Sequence, residues 1–306
     1  MNPFNKKFGT HFIQSIPQKS GVYQIYNNQS VLIYVGKAKN LRRRLGNYKN
    51  AKRKKKHQKM KEIISEASFI KYDVCDSELQ AHLLETKLIQ SFRPKWNVVG
   101  AFYFMYPMIG MLQQSNNLIF IYTTQPHLFS NFIFHGAFRS REITRDAFFS
   151  LIRLMKYIGH SLAASKIPAY PSIKYSYVYG FRQLPSGWFA IWELFWKGES
   201  KTALELLILE LVENAGARKN AQQIQQYINK LNRFWIHEAQ LLKKVRSKLN
   251  YLEYPVSQQE RDLVFLKYRY QTRRKIPGPS FTEDRTSTAN RKEEKTCPAS
   301  PCRGEK

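Results

Sequence analysis

Side chains suited to binding a phosphate group lie close together in a short stretch near the N-terminus. Tyr23 and Tyr34 fall in two short apolar runs, Gly36 and Lys37 follow Tyr34, and Arg44 comes shortly after. Tyrosine hydroxyls donate and accept hydrogen bonds, while ammonium and guanidinium groups bind phosphate as cations. If the two runs are neighbouring strands, these side chains meet beside one sheet. The stretch therefore predicts a phosphate site.

A β-hairpin would position the two tyrosines. Strand-forming residues at 21–26 and 31–36 flank the polar, turn-forming tetrad 27–30, which predicts two antiparallel strands. Side chains alternate between the faces of a strand. The first run therefore places Tyr23 and Ile25 on one face, and Val22, Gln24 and Tyr26 on the other.

A helix after the hairpin would position the cations. Asn40 can cap a helix on which Leu41, Arg44 and Tyr48 share one side. A purely structural interpretation also fits these residues, because tyrosines on a hairpin often pack at the edge of a core and a cationic helix often faces water.

A third strand and a further helix are predicted next. Residues 69–75 alternate in polarity, and Ser77–Gln80 is a capping-box pattern that opens a helix to about residue 90. On that helix Glu85 borders an apolar stripe. Its carboxylate stands out because the first hundred residues carry 20 Lys and Arg against 6 Asp and Glu. A structural salt bridge is the alternative role for this acid.

The tripeptides Gly21-Val22-Tyr23 and Tyr34-Val35-Gly36 resemble the two motifs of the GIY-YIG nuclease family, with valine in place of isoleucine in each. The run 34–41 and the segment Arg93-Pro94-Lys95-Trp96-Asn97 are similar to the N-terminal nuclease module of the bacterial excinuclease UvrC. The resemblance spans roughly residues 17–99. It implies an α+β fold, with a small three-stranded antiparallel sheet and flanking helices, that nicks DNA with one divalent ion, Mg²⁺ or Mn²⁺.

The resemblance also implies roles for single residues. Glu85 would hold the metal ion, and Tyr34 would be the general base in the positive field of Lys37. Arg44 would bind the scissile phosphate. Tyr23 and Tyr48 would orient water and phosphate, and Asn97 would fix the sheet or the lysine.

The charge of the chain predicts a polyanionic partner. The formal net charge is +28 and the isoelectric point is near 10.0, which favours DNA, RNA or an anionic membrane. The cations expected to contact the DNA backbone are Lys39, Arg42, Arg43, Lys52, Arg53, Lys54, Lys55 and Lys56. The basic run at 52–56 also fits a solvated loop or a nuclear-import-like patch. The turn at 138–141 and Arg145 could contact phosphate as well, or simply be solvated.

The remainder of the chain is predicted to form a second domain. We expect a nuclease-like domain at 1–100, a domain of mixed strands and helices at 101–270, and a disordered basic tail at 271–306. The predicted elements of the second domain are strands at 118–122 and 132–138, helices at 143–160, 202–214 and 221–252, and a helix buried through Trp188, Trp192 and Trp196. Thr202–Glu205 is a capping-box pattern, which predicts Thr202 as the cap of the helix at 202–214. The chain is too short for the other domains of UvrC, so we expect a shortened homologue.

Localisation and partners follow from absences in the sequence. No apolar run approaches the roughly 20 residues of a membrane span, no signal peptide is visible, and three cysteines give no disulfide framework. These features predict a cytoplasmic protein without a membrane partner.

The resemblance implies the 3′-side incision of nucleotide excision repair, with damage-recognition and loading proteins as partners. A structure-specific or mobile-element GIY-YIG endonuclease and a non-catalytic nucleic-acid-binding protein remain alternatives.

Overall fold

The N-terminal sheet contains three antiparallel strands in the order β2-β1-β3. The structure, a computed structural model, describes residues 3–51, 58–98, 100–167 and 173–273. The strands are β1 (Gly21–Tyr26), β2 (Leu32–Ala38) and β3 (Phe69–Val74). The hairpin and the third strand are confirmed, with β2 extending beyond the predicted run to Ala38.

Helices cover both faces of this sheet. They are α1 (Pro3–Phe8), α2 (Phe12–Ser15), α3 (Leu41–Lys49), α4 (Gln58–Glu66) and α5 (Glu78–Phe92). Tyr23 and Ile25 of β1 pack into one apolar cluster with α3, whereas Val22 packs into another with α5, as the alternation predicts. The Asn40 side chain caps α3 by accepting from the Arg43 N–H at 2.9 Å, and Ser77 caps α5 by accepting from the Gln80 N–H at 3.1 Å.

Two glycines of the hairpin permit close packing. A Cβ atom at Gly21 would overlap the carbonyl oxygen of Asp73 on β3, and one at Gly36 would overlap the Tyr23 hydroxyl. The Tyr23 ring therefore lies across β2 at the position where the strand has no side chain. This explains in packing terms why a tyrosine and a glycine occur together in the two motifs.

A second sheet of five antiparallel strands follows, in the order β6-β4-β5-β8-β7. Its strands are β4 (Met108–Gln114), β5 (Asn117–Thr123), β6 (Ile133–His135), β7 (His160–Ser161) and β8 (Tyr177–Arg182). The helices of this region are α6 (Arg141–Ile158), α7 (Trp188–Lys197), α8 (Thr202–Glu213), α9 (Ala215–Lys219), α10 (Ala221–Phe234), a π-helical turn (Trp235–Ala239), α11 (Gln240–Leu249) and α12 (Gln258–Arg273).

The three tryptophans of α7 are buried in the core of this second region, as the sequence predicts. Two local predictions are wrong. The strand expected at 132–138 is confined to β6 because Gly136 adopts a φ of +121°, outside the β region. Thr202 does not cap α8, because Lys201 is the N-cap and the Ser200 hydroxyl accepts from the Thr202 N–H at 3.1 Å.

Helix α12 joins the second region to the first. It packs against α5. At its start, the Gln258 amide donates to the carbonyls of Phe104 and Thr124 at 3.1 and 3.0 Å. The predicted tail begins inside this helix, and residues 274–306 lie outside the described residues. Within the described part of the chain, no helix is long and apolar enough to cross a membrane.

Candidate active site

Two of the predicted site residues, Asn97 and Glu85, bind the backbone of β2 at the edge away from β1. Backbone groups facing an edge recur at every second residue of a strand, here at Val35 and Lys37. The Asn97 side chain accepts from the Val35 N–H at 2.8 Å and donates to the Val35 carbonyl at 2.9 Å. At the next residue that faces this edge, Glu85 Oε1 accepts from the Lys37 N–H at 3.0 Å. These bonds satisfy the edge of the strand and place the amide beside the carboxylate.

Glu85 is also paired with a cation. Lys37 Nζ lies 2.8 Å from Glu85 Oε2, with the glutamate side chain 15% exposed and the lysine side chain 37% exposed. His82, one turn earlier on α5, has Nε2 at 3.9 Å from the same oxygen. The carboxylate is therefore held by its neighbours and still reaches solvent.

Four of the predicted site residues line one cavity of about 490 Å³: Tyr34, Lys37, Glu85 and Asn97. The half-buried Tyr34 ring packs on the core cluster of α3 and has Lys59 Nζ 5.6 Å from its centroid. The cavity thus combines a phenol, an ammonium group and a carboxylate. These are groups that can bind a phosphate, a water molecule and a cation.

Three other predicted residues, namely Tyr23, Tyr48 and the half-buried Arg44, form a hydrogen-bonded network beside that cavity and do not line it. The hydroxyls of Tyr23 and Tyr48 are 3.1 Å apart, and Arg44 Nε donates to the Tyr23 hydroxyl at 3.1 Å. Burial raises the pKa of the Tyr23 and Tyr48 phenols, so both stay neutral in ordinary buffers. The Tyr23 ring centroid lies 6.0 Å from that of Tyr34, so the network supports the phenol at the cavity wall.

The donor set fits a hard divalent cation. Among the described residues, no group of three or more His, Cys, Asp or Glu side chains could enclose a metal ion. Mg²⁺ keeps several of its waters and is often bound through only one or two carboxylates. Glu85 supplies one carboxylate at a cavity with room for those waters. A bound cation would share this carboxylate with Lys37.

The cations predicted to contact DNA have different surroundings. Lys39 is paired with Glu78 at 2.7 Å, and Arg42 Nε donates to the Ile16 carbonyl at 2.7 Å. Arg43 is exposed on α3. The remaining predicted cations, Lys52, Arg53, Lys54, Lys55 and Lys56, lie outside the described residues.

Several residues of the cavity wall have no motif or spacing that marked them as site residues. They come from α4, α5 and the second region: Lys59, His82, Tyr106, Arg261, Asp262 and Arg269. Arg139, considered only as part of a turn, lines the cavity as well. Arg261, Phe265 and Arg269 follow one another at intervals of four residues, which places them on one face of a helix. This spacing could have predicted α12, but it does not indicate which element α12 packs against.

Sequence comparison agrees with the motifs. The family model for the UvrC-like GIY-YIG domain matches residues 19–98. These residues form a UvrC-like GIY-YIG domain. UvrABC system protein C of Bacteroides fragilis is 42% identical over 89 residues, which cover 28% of this chain and 14% of that protein. The protein of the same name from Wolinella succinogenes is 39% identical over 92 residues, covering 28% of this chain and 15% of that protein.

A solved structure matches the same region. It is the GIY-YIG N-terminal endonuclease domain of UvrC from Thermotoga maritima, bound to its catalytic divalent cation, magnesium. The match has 37% sequence identity and a TM-score of 0.27, and covers 32% of this chain and 99% of that one. The chain spans about one seventh of the length of the Bacteroides fragilis relative.

Proposed function

We propose that this chain is a metal-dependent endonuclease that nicks one strand of DNA. The observation that carries the proposal is that Tyr34, Lys37 and Glu85 line a single cavity. A carboxylate is not needed for binding a polyanion, since it repels phosphate, but it is needed for holding a cation. Its presence among so many cations favours catalysis over simple binding.

Hydrolysis of a phosphodiester needs an activated water and positive charge at the phosphate. In the proposed mechanism Glu85 would hold Mg²⁺ or Mn²⁺, and the bound cation would supply Lewis acidity and a hydration shell. Tyr34 would act as the phenolate, its own proton having passed to solvent, and would take a proton from the water as that oxygen bonds to phosphorus. The bond from phosphorus to the 3′-oxygen then breaks, and the 3′-oxygen takes its proton from solvent. Lys37, with its ammonium 2.8 Å from Glu85 Oε2, stabilises negative charge at the phosphate.

Tyr23, Tyr48 and Asn97 act indirectly in this proposal. Tyr23 and Tyr48 fix the wall on which Tyr34 packs, and Asn97 holds the β2 backbone between Tyr34 and Lys37. Arg44 has further N–H groups besides the one donated to Tyr23, and its contact with the phosphate stays a prediction.

We further propose that the reaction is the 3′-side incision of nucleotide excision repair. The match of residues 19–98 to the UvrC-like domain supports this assignment. Contacts to backbone phosphates carry no sequence information, so the choice of a damaged site would come from damage-recognition and loading proteins.

Two measurements test the proposal. The first is plasmid nicking with Mg²⁺ and with EDTA, where nicking only with Mg²⁺ is expected. DNA binding without nicking would instead identify a non-catalytic binding protein.

The second uses an end-labelled duplex with one bulky adduct, with and without the loading proteins. A cut on the 3′ side of the adduct that needs those proteins supports the repair role. Cutting that needs no adduct and no loading protein would favour a structure-specific or mobile-element nuclease.

A further inference from the structure

The second region of the chain supplies part of the wall of the proposed active site. Residues on α12 and in the turn before α6 line the same cavity as Glu85. The lining contains five Lys and Arg side chains and two carboxylates, namely Lys37, Lys59, Arg139, Arg261 and Arg269 against Glu85 and Asp262. The excess of positive charge therefore extends beyond the GIY-YIG domain.

Arg261 anchors α12 and is not available to a ligand. It is 2% exposed, its Nε donates to the Ala137 carbonyl at 3.1 Å, and its guanidinium lies 3.3 Å from the centroid of the Phe265 ring. Asp262 is also engaged, since it accepts from the Tyr106 hydroxyl at 2.7 Å. These contacts fix the first half of α12 against the second region.

Arg269 lies two turns after Asp262 on the same face of α12 and is exposed. The next residue ties this end of the helix to the catalytic helix α5. Tyr270 meets His82 with 3.5 Å between its hydroxyl and Nδ1, and the two rings lie edge to face at 6.0 Å. Arg269 is thus held near Glu85 by a helix anchored at both ends.

Arg139 is fixed through its backbone. Its N–H donates to the buried carboxylate of Glu238 at 2.6 Å, and the Ser140 N–H donates to the same carboxylate at 3.0 Å. Its side chain is exposed. In the described ranges, neither the Arg139 nor the Arg269 guanidinium has an ion-pair partner.

A second cavity, of about 300 Å³, adjoins the first and shares Arg139 and Arg269 with it. The two arginines therefore lie where the cavities meet, with Glu85 in the lining of the first cavity and His237 in that of the second. We propose that Arg139 and Arg269 bind backbone phosphates of DNA next to the scissile phosphate, so that the second region completes the substrate groove of the GIY-YIG domain. This proposal rests on the proposed nuclease function.

Salt-dependent DNA binding tests the proposal without catalysis. The full chain with Glu85→Gln is titrated with a short fluorescent DNA duplex in EDTA at several salt concentrations, and anisotropy is read. Adding Arg139→Ala and Arg269→Ala should weaken binding by about tenfold per arginine. Because each lost phosphate contact lowers the slope of log affinity against log salt by about 1, the double change should lower it by about 2.

Control variants separate charge from folding. Arg182→Ala removes an exposed arginine on β8, away from both cavities, and should leave the slope unchanged. The pair Arg139→Lys and Arg269→Lys keeps the charges and should keep the slope. An alanine pair with the slope and affinity of the Arg182→Ala protein would overturn the proposal.

Nicking by the otherwise wild-type chain is measured separately in Mg²⁺. Slower nicking by the alanine pair supports the proposal. Faster nicking would overturn it, because the arginines would then cover the site instead of holding the substrate. Should the wild-type chain bind DNA and not nick it, the nuclease function fails, while the salt slope still decides whether the arginines bind phosphate.

Discussion

Replacing Glu85 with glutamine removes the charge that the proposed metal site needs while preserving the shape of the side chain. The amide oxygen of glutamine can still accept from the Lys37 N–H, which lies 3.0 Å from Oε1. The Lys37 ammonium loses its counter-charge at 2.8 Å. The variant therefore separates the electrostatic role of Glu85 from its role at the edge of β2.

The expected effect on catalysis is much larger than the effect on stability. A metal Lewis acid supplies several kcal/mol of transition-state stabilisation, and about 4 kcal/mol corresponds to roughly a thousandfold in rate. Because the Lys37 side chain is 37% exposed, water replaces much of the lost ion pair. We expect the free energy of unfolding to fall by about 1 kcal/mol or less. DNA affinity should stay equal or rise, since a negative charge leaves a cationic cavity.

The assay is single-turnover nicking of plasmid DNA over a titration of Mg²⁺, with Mn²⁺ binding measured by calorimetry. Glu78→Gln is the matched control, because Glu78 lies on the same helix and pairs with Lys39 at 2.7 Å but does not line the cavity. The Glu85→Gln protein should lose both nicking and Mn²⁺ binding. If it nicks DNA as fast as the Glu78→Gln protein, Glu85 holds no essential metal ion and the mechanism is wrong.

Three further changes test other parts of the structure. Tyr34→Phe should slow nicking by at least about a hundredfold if this phenol is the general base, and an unchanged rate would assign the proton transfer to another group. Asn97→Ala removes the two hydrogen bonds to Val35, so the free energy of unfolding in urea should fall by about 2 kcal/mol; equal stability would mean that water replaces both. Burial lowers the pKa of His135 to about 3, and the unfolded chain has the ordinary value near 6.5. As the pH falls, the His135 imidazole is therefore protonated in the unfolded state before it is protonated in the folded state. The free energy of unfolding should fall by about 2 kcal/mol between about pH 7.5 and about pH 5. The His135→Gln protein should lack this cost, and an equal acid loss in both proteins would contradict the assignment.

The sequence alone determined the local architecture of the GIY-YIG domain. The hairpin, the cap of α3 at Asn40 and the cap of α5 at Ser77 all follow from spacing between near neighbours. Strand alternation and helix capping are short-range effects, so the chain carries them in its pattern. The capping-box prediction at Thr202 was wrong, because the Thr202 N–H donates to the Ser200 hydroxyl and not to the side chain of Glu205.

Only tertiary structure decided which predicted site residues face the same cavity. The motifs identified Tyr23 and Tyr34 alike, but Tyr23 is fully buried where Gly36 leaves room for its ring, and Tyr34 faces the cavity. Nothing in the local pattern indicated that Arg139 and Arg269 stand near Glu85. The position of Arg269 depends on the packing of α12 against α5, and that of Arg139 on the hydrogen bond from its N–H to Glu238. Both contacts join segments far apart in the chain, and local spacing contains no information about such contacts.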